Sequence, residues 1–426
     1  MPEKIIPLGD GAEELFIKCS RFNTSLISFN FYLPLDREKV ADRALLPFVL
    51  TSCGKNYPDF SKLNFSLSKL YGANLFASAE KVGDYTLLKM GISVIDDRFA
   101  LDNEKITDEA VKMLLDLIFN PKAENGAFCE EDLEREKRKA IEHIKSEMGE
   151  KRIYAKSRLI EEMFSDDLYG TPKCGTVKQV EKITGESLFA AWKDMLCSAF
   201  LRVNVISARE PDGLSSVISN VLSKIKRENI TDCRKSVPSR RRQTVKEVKE
   251  RMEVAQGKLC MGFTAGESGD DADTAALSVM CDIFGGGPYS RLFTNVREKM
   301  SLCYYCSAAP VKVKGFIMVS SGVEAENAEK ARKEIENQLA IMGKGGFTDD
   351  EFDSSVRSMK DSLKTCLDSQ AAIDSWYSIK IANREPYTPE DISEFISAVT
   401  KEDVARIARN VTLNTVYTLL PKEEKK

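Results

Sequence analysis

A single histidine, His143, occurs among 426 residues, and it limits the chemistry open to this chain. A Ser-His-Asp or Cys-His nucleophile can form only if His143 is the base. A metal site with two His ligands cannot form within one chain. The 11 cysteines are scattered, and the one close pair is Cys303-Tyr304-Tyr305-Cys306. That spacing suits a redox dithiol or half a zinc site, but no second pair completes a metal site. In an extended strand, positions three apart point to opposite faces, which argues against a working pair. The thiols therefore read as reduced, buried, small apolar side chains. The run Gly285-Gly286-Gly287 is followed by Pro288-Tyr289. A phosphate loop needs Lys then Ser or Thr after its last glycine, so these glycines read as a turn that permits positive φ and close approach.

Apolar residues make up 42% of the chain, enough for full cores, and the length exceeds what one core usually supports. The net charge of -4, with acids and bases interspersed, excludes the basic face of a nucleic-acid protein. No apolar run approaches the ~18 residues that span a bilayer. The opening Met1-Pro2-Glu3-Lys4-Ile5-Ile6-Pro7 lacks a secretory core, so a cytoplasmic protein is expected.

The chain repeats itself. Glu130-Glu131-Asp132-Leu133 opens a long helical stretch that ends near Leu168-Tyr169-Gly170. Thr184 then caps a second helix, and the strand Arg202–Ile206 follows. In the second half, Asp349-Asp350-Glu351-Phe352 opens a long helical stretch ending near Arg384-Glu385-Pro386. Thr400 caps the next helix, and the strand Thr415–Leu420 follows. The offset is roughly 220 residues, which predicts two copies of one α/β domain rather than a solenoid. Further strands are expected over 25–35, 85–95 and 316–323. A helix from Thr107 is stopped by Asn120-Pro121. Between the halves, residues 229–243 are polar and aperiodic and read as a linker; their Arg240-Arg241-Arg242 run has no aromatic neighbours and reads as solvated. The domains are thus 1–228 and 244–426.

The segment Gly285 to Tyr304 predicts a helix ending at Phe284, a turn, a helix from about Ser290 with Leu292, Phe293 and Val296 on one face, and a strand near Leu302. This segment closely resembles the C-terminal domain of the M16 zinc peptidases, the pitrilysin, insulinase and mitochondrial processing peptidase family. Leu70-Tyr71-Gly72-Ala73-Asn74 and Pro172-Lys173-Cys174-Gly175-Thr176 are similar to other segments of that family. The resemblance implies an α+β fold of two homologous α/β domains, each a mostly antiparallel sheet packed with helices. It also implies that Arg297 and Tyr304 contact peptide substrate near the scissile bond, where guanidinium and phenol can donate to carbonyl oxygens.

One departure sets the expected function. Active members carry His-x-x-Glu-His on the first helix, whose two His hold Zn²⁺ while the Glu activates water. The corresponding stretch, near Ala41 to Leu50, has neither His nor Glu. The third ligand of the family is a Glu on the long helix, where Glu142 or His143 falls, and one ligand cannot make a catalytic zinc site. The resemblance therefore implies an inactive subunit with no catalytic or metal-binding residues of its own. It would bind an extended peptide and pair with an active homologue that carries the zinc, or with a second copy of itself, with no nucleic acid or membrane partner. The alternative is a peptide- or protein-binding scaffold without protease activity, of the branch associated with elongation factor P modification.

Overall fold

The computed structural model describes residues 3–233, 236–266, 271–382 and 387–422. The expected loop at Arg384-Glu385-Pro386, and Arg234-Lys235 of the linker, lie outside the described residues. No helix among the described residues is long and apolar enough to cross a membrane. The described residues fall into two compact units, one within 1–145, 171–235 and 369–386, the other within 146–170, 236–368 and 387–426.

The strands of the first unit are β1 (Glu3–Gly9), β2 (Ala12–Lys18), β3 (Thr24–Pro34), β4 (Asn74–Val82), β5 (Tyr85–Ile95), the short hairpin β6 (Ala123–Glu124) and β7 (Ala127–Phe128), and β8 (Phe200–Ser207). The second unit holds β9 (Lys246–Met252), β10 (Gly257–Thr264), β11 (Cys303–Val311), β12 (Phe316–Val323) and β13 (Thr412–Pro421). The first sheet runs β1-β2-β8-β3-β5-β4 and the second β11-β12-β10-β13-β9. In each, one pair is parallel, β2 with β8 and β9 with β13, and every other pair is antiparallel. Read from β2, the first order maps onto the second strand for strand, with the same directions. The sequence repeat is thus a repeat of topology, and the α+β architecture is as expected.

The alternation of β3 explains its two covered faces. Ile27, Phe29, Phe31 and Leu33 join a core with the helices Val40–Leu50 and Ile106–Phe119. Ser28 and Asn30 point the other way and meet the helix Gln370–Ile379. In the second unit, Leu259, Met261 and Phe263 of β10 face the core around the helix Asp271–Gly285. Its opposite face, at Cys260 and Gly262, takes the helix Lys151–Met163, whose Leu159 and Met163 side chains close on the glycine. Each unit therefore takes the helix on its second face from the other half of the chain. The stretch from Glu130 is accordingly not one helix: Glu130–Gly149 ends at Glu150, which caps Lys151–Met163.

Local signals held where they were strongest. Thr184 and Thr400 both form capping boxes, and Asn120 ends the helix Ile106–Phe119. At the second box, Thr400 Oγ1 accepts from the Asp403 amide at 3.2 Å while Asp403 Oδ2 accepts from the Thr400 amide at 3.1 Å. Thr400→Ala removes one of these acceptors, and urea unfolding is expected to register a loss of about 1 kcal/mol. An unchanged midpoint would mean the helix is held by its packed face alone. The linker arginines are less free than expected. Arg241 donates to the Asn410 carbonyl at 2.7 Å and Arg242 to the Met163 carbonyl at 3.2 Å, so orphan carbonyls at helix ends anchor them.

Candidate functional site

Two places emerge, each beside the edge strand of its own sheet. Topology makes β4 and β11 counterparts, since each is the outermost strand next to the β5 or β12 position.

In the first unit, a pocket of ≈ 600 Å³ opens between the helices Val40–Leu50 and Glu130–Gly149 and the strand β4. The residues of Val40–Leu50 that line it are Ala41, Ala44, Leu45 and Phe48. The first three stand at i, i+3 and i+4, the spacing of an inverted zinc motif. Opposite them lie Glu136 and His143. Glu136 is buried and already accepts from Arg135 at 3.2 Å and Lys139 at 2.9 Å. Methyl and isobutyl groups offer a metal no lone pair, so the donor set does not fit zinc. Of the two third-ligand candidates, His143 reaches this pocket wall and Glu142 does not. The wall that would hold a metal is instead apolar.

In the second unit, a pocket of ≈ 380 Å³ is lined by Arg297, Glu298, Ser301, Leu302, Cys303, Tyr304, Glu324 and Asn327. Its geometry starts at the three glycines. None of them has positive φ, contrary to the expectation from sequence. Close approach is their reason: a Cβ on Gly285 would lie 2.5 Å from the Ala308 amide nitrogen of β11. The following segment is a π-helical stretch, Leu292–Lys299, with Leu292 and Val296 buried. Phe293 is only half-buried, and the Arg297 guanidinium lies over its ring at 4.5 Å. π-Helical turns widen the backbone and recur at functional sites. Ser301 then turns the chain in the left-handed region, φ 51°, into β11.

The strand itself carries the decisive irregularity. Cys303 pairs with Val323 and Tyr305 with Gly322, so Tyr304 is an extra residue, a β-bulge. The bulge aims Tyr304 outward, 65% exposed, where a regular strand would turn it in with Cys306 and Ala308. It also corrects the reading of the cysteine pair. Cys303 and Cys306 were expected on opposite faces, but the extra residue shifts the parity, and both are buried on the same face. Arg297, 41% exposed, has a long contact of 3.5 Å with Glu298, too loose and wet to fix it. Arg297 and Tyr304 thus line one pocket. The acidic pair Glu298 and Glu324 and the thiol of Cys303 join them, and the bulge that gathers them left no mark in the sequence.

Residues 182–359 match the family described as the peptidase M16 inactive domain. The probable inactive metalloprotease YmfF of Bacillus subtilis (strain 168) is 29% identical over 408 residues, 95% of this chain and 94% of that protein. The crystal structure of a conserved protein from Enterococcus faecalis V583 superposes with a TM-score of 0.92 at 26% identity, over 100% of both chains. That of a peptidase M16 inactive domain from Pseudomonas fluorescens gives a TM-score of 0.80 at 18% identity, over 100% of this chain and 99% of that one, a likeness of fold.

Proposed function

Since the chain belongs to the M16 peptidase family, as an inactive metalloprotease homologue, we propose that it is a substrate-binding subunit for a zinc-bearing partner of the same family. The observation that carries this reading is the Tyr304 bulge, which presents a phenol beside a guanidinium at the edge of a sheet. An extended peptide can add to such an edge through its backbone, while Arg297 and Tyr304 donate to its carbonyls. The apolar wall at Ala41, Ala44 and Leu45 supports the other half of the reading: the water-activating machinery must come from another chain.

The test is co-expression with a homologue of similar length from the same genome that carries His-x-x-Glu-His. The two chains are expected to co-purify and to hydrolyse unstructured peptides in a chelator-sensitive way. The present chain alone is expected to be inert with or without added Zn²⁺. Chelator-sensitive hydrolysis by this chain alone overturns the reading. Peptide binding with no homologue retained points instead to the scaffold.

A further inference from the structure

We propose that Cys303 and Cys306 form a peroxide-sensitive dithiol in the wall of the Arg297–Tyr304 pocket, with Cys303 as the attacking sulfur and Cys306 as the resolving one. Three observations carry this. The bulge at Tyr304 places the two cysteines on one face, opposite Val323 and Ser321 of β12, two register steps apart. Two steps are roughly 6.8 Å along an antiparallel strand, at the upper limit of about 6.8 Å for disulfide-bonded Cα atoms. Second, Cys303 lines the pocket and Cys306 does not, so an incoming oxidant meets Cys303 first. Third, the electrostatics separate the pair. The hydrogen bond from the Cys306 thiol lowers the Cys303 pKa, with the positive charge of Arg297 adding to it against the opposing effect of burial. Cys306 is raised, because its proton serves that bond. Burial does the reverse elsewhere in the chain: it is the main cause that pushes Cys53 and Cys260 up to about 11, with the Asp132 carboxylate adding to it at Cys53. A thiolate with access and a neighbouring thiol is the arrangement of a redox-sensing pair.

The chemistry balances with hydrogen peroxide as the oxidant. The Cys303 thiolate attacks one peroxide oxygen, the O–O bond breaks, and hydroxide leaves to be protonated to water. Cys303 is then a sulfenic acid. The Cys306 sulfur attacks it, the S–S bond forms, the S–O bond breaks, and a second water leaves. Two thiols have lost two electrons and the peroxide has gained them. A disulfide near the limit of allowed geometry is readily reduced, so a dithiol reverses it. Closing it would remove the thiolate beside Arg297 and pull on the bulge that presents Tyr304. That consequence rests on the peptide-binding reading, whereas the oxidation itself does not.

The experiment treats the reduced full-length chain with equimolar hydrogen peroxide, quenches with N-ethylmaleimide and maps the peptide 300–312. The peptide is expected two hydrogens lighter and unalkylated, and alkylated at both sites after dithiothreitol. Cys306→Ser is expected to leave a Cys303 sulfenic acid that dimedone traps. Cys303→Ser is expected to leave Cys306 inert to peroxide. At neutral pH, maleimide is expected to label Cys303 about tenfold faster than Cys53 or Cys260. Labelling of Cys303 no faster than those two, or no dimedone adduct in the Cys306→Ser variant, overturns the proposal. Failure of peptide binding with the disulfide still forming would strike the functional reading alone.

Discussion

Asp374→Ala is expected to lower the unfolding free energy by about 3–5 kcal/mol, as removal of one partner from a buried ion pair does. Asp374 lies on the helix Gln370–Ile379 and accepts from Lys89 of β5 at 2.6 Å, with both side chains almost wholly buried. Its other oxygen accepts from the Ser28 hydroxyl at 2.6 Å and from the Asn204 amide at 2.7 Å. Truncation leaves an ammonium, a hydroxyl and an amide without their acceptor inside the fold, and water cannot replace it cheaply. Asp374→Asn keeps the shape and one acceptor oxygen but strands the lysine charge, so its cost should fall below that of alanine. The double replacement Lys89→Met with Asp374→Leu should recover part of the loss, because no charge is then stranded. Recovery stays incomplete, since Ser28 and Asn204 still lose their acceptor. Urea unfolding of the four proteins at neutral pH measures all of this. A loss under 1 kcal/mol for Asp374→Ala would mean that the helix is held on the sheet by other contacts.

If the chain assembles with a zinc-bearing homologue as proposed, Arg297→Ala is expected to cut kcat/KM of the pair by roughly 10- to 100-fold, from the ~1.5–3 kcal/mol of one hydrogen bond from a charged group. Stability should hardly change, because Arg297 is 41% exposed and its contact with Glu298 is loose. Arg297→Lys keeps the charge but loses the planar fork, and should recover only part of the rate. Tyr304→Phe keeps the exposed ring and loses one donor, for a smaller drop. Steady-state assays with the zinc-bearing partner decide the matter. Unchanged kcat/KM for Arg297→Ala in a stable, correctly paired protein would remove this residue from substrate recognition.

Much of the fold was legible because its signals are local. The Thr184 and Thr400 capping boxes need only side chains three residues apart. The strands β5 and β12 have the bounds that their alternating pattern predicts. The helix break at Glu150 was not legible: Lys151–Met163 continues a charged, helix-forming stretch, and the interruption matters only because that helix docks on a different sheet. Of the two reasons expected for the three glycines, close approach stands and positive φ does not, and the partner in that approach, Ala308 beside Gly285, lies on a strand some twenty residues on.

The sequence by itself determined the repeat, the order of elements and the loss of metal ligands on the first helix. These follow from residue identity and short spacing, which no later packing can alter. Only the tertiary structure decided three further matters. It exchanged one helix between the two halves, because Asp374 finds its partners on β3 and β5, 346 and 285 residues away along the chain. It placed Ala41, Ala44 and Leu45, buried members of the core, in the wall of a largely apolar pocket that Glu136 and His143 also line. It inserted one unpaired residue at Tyr304, and in a strand of period two a single insertion reverses the face of everything before it. That reversal exposes the tyrosine and brings Cys303 to Cys306, which no count along the chain could foresee.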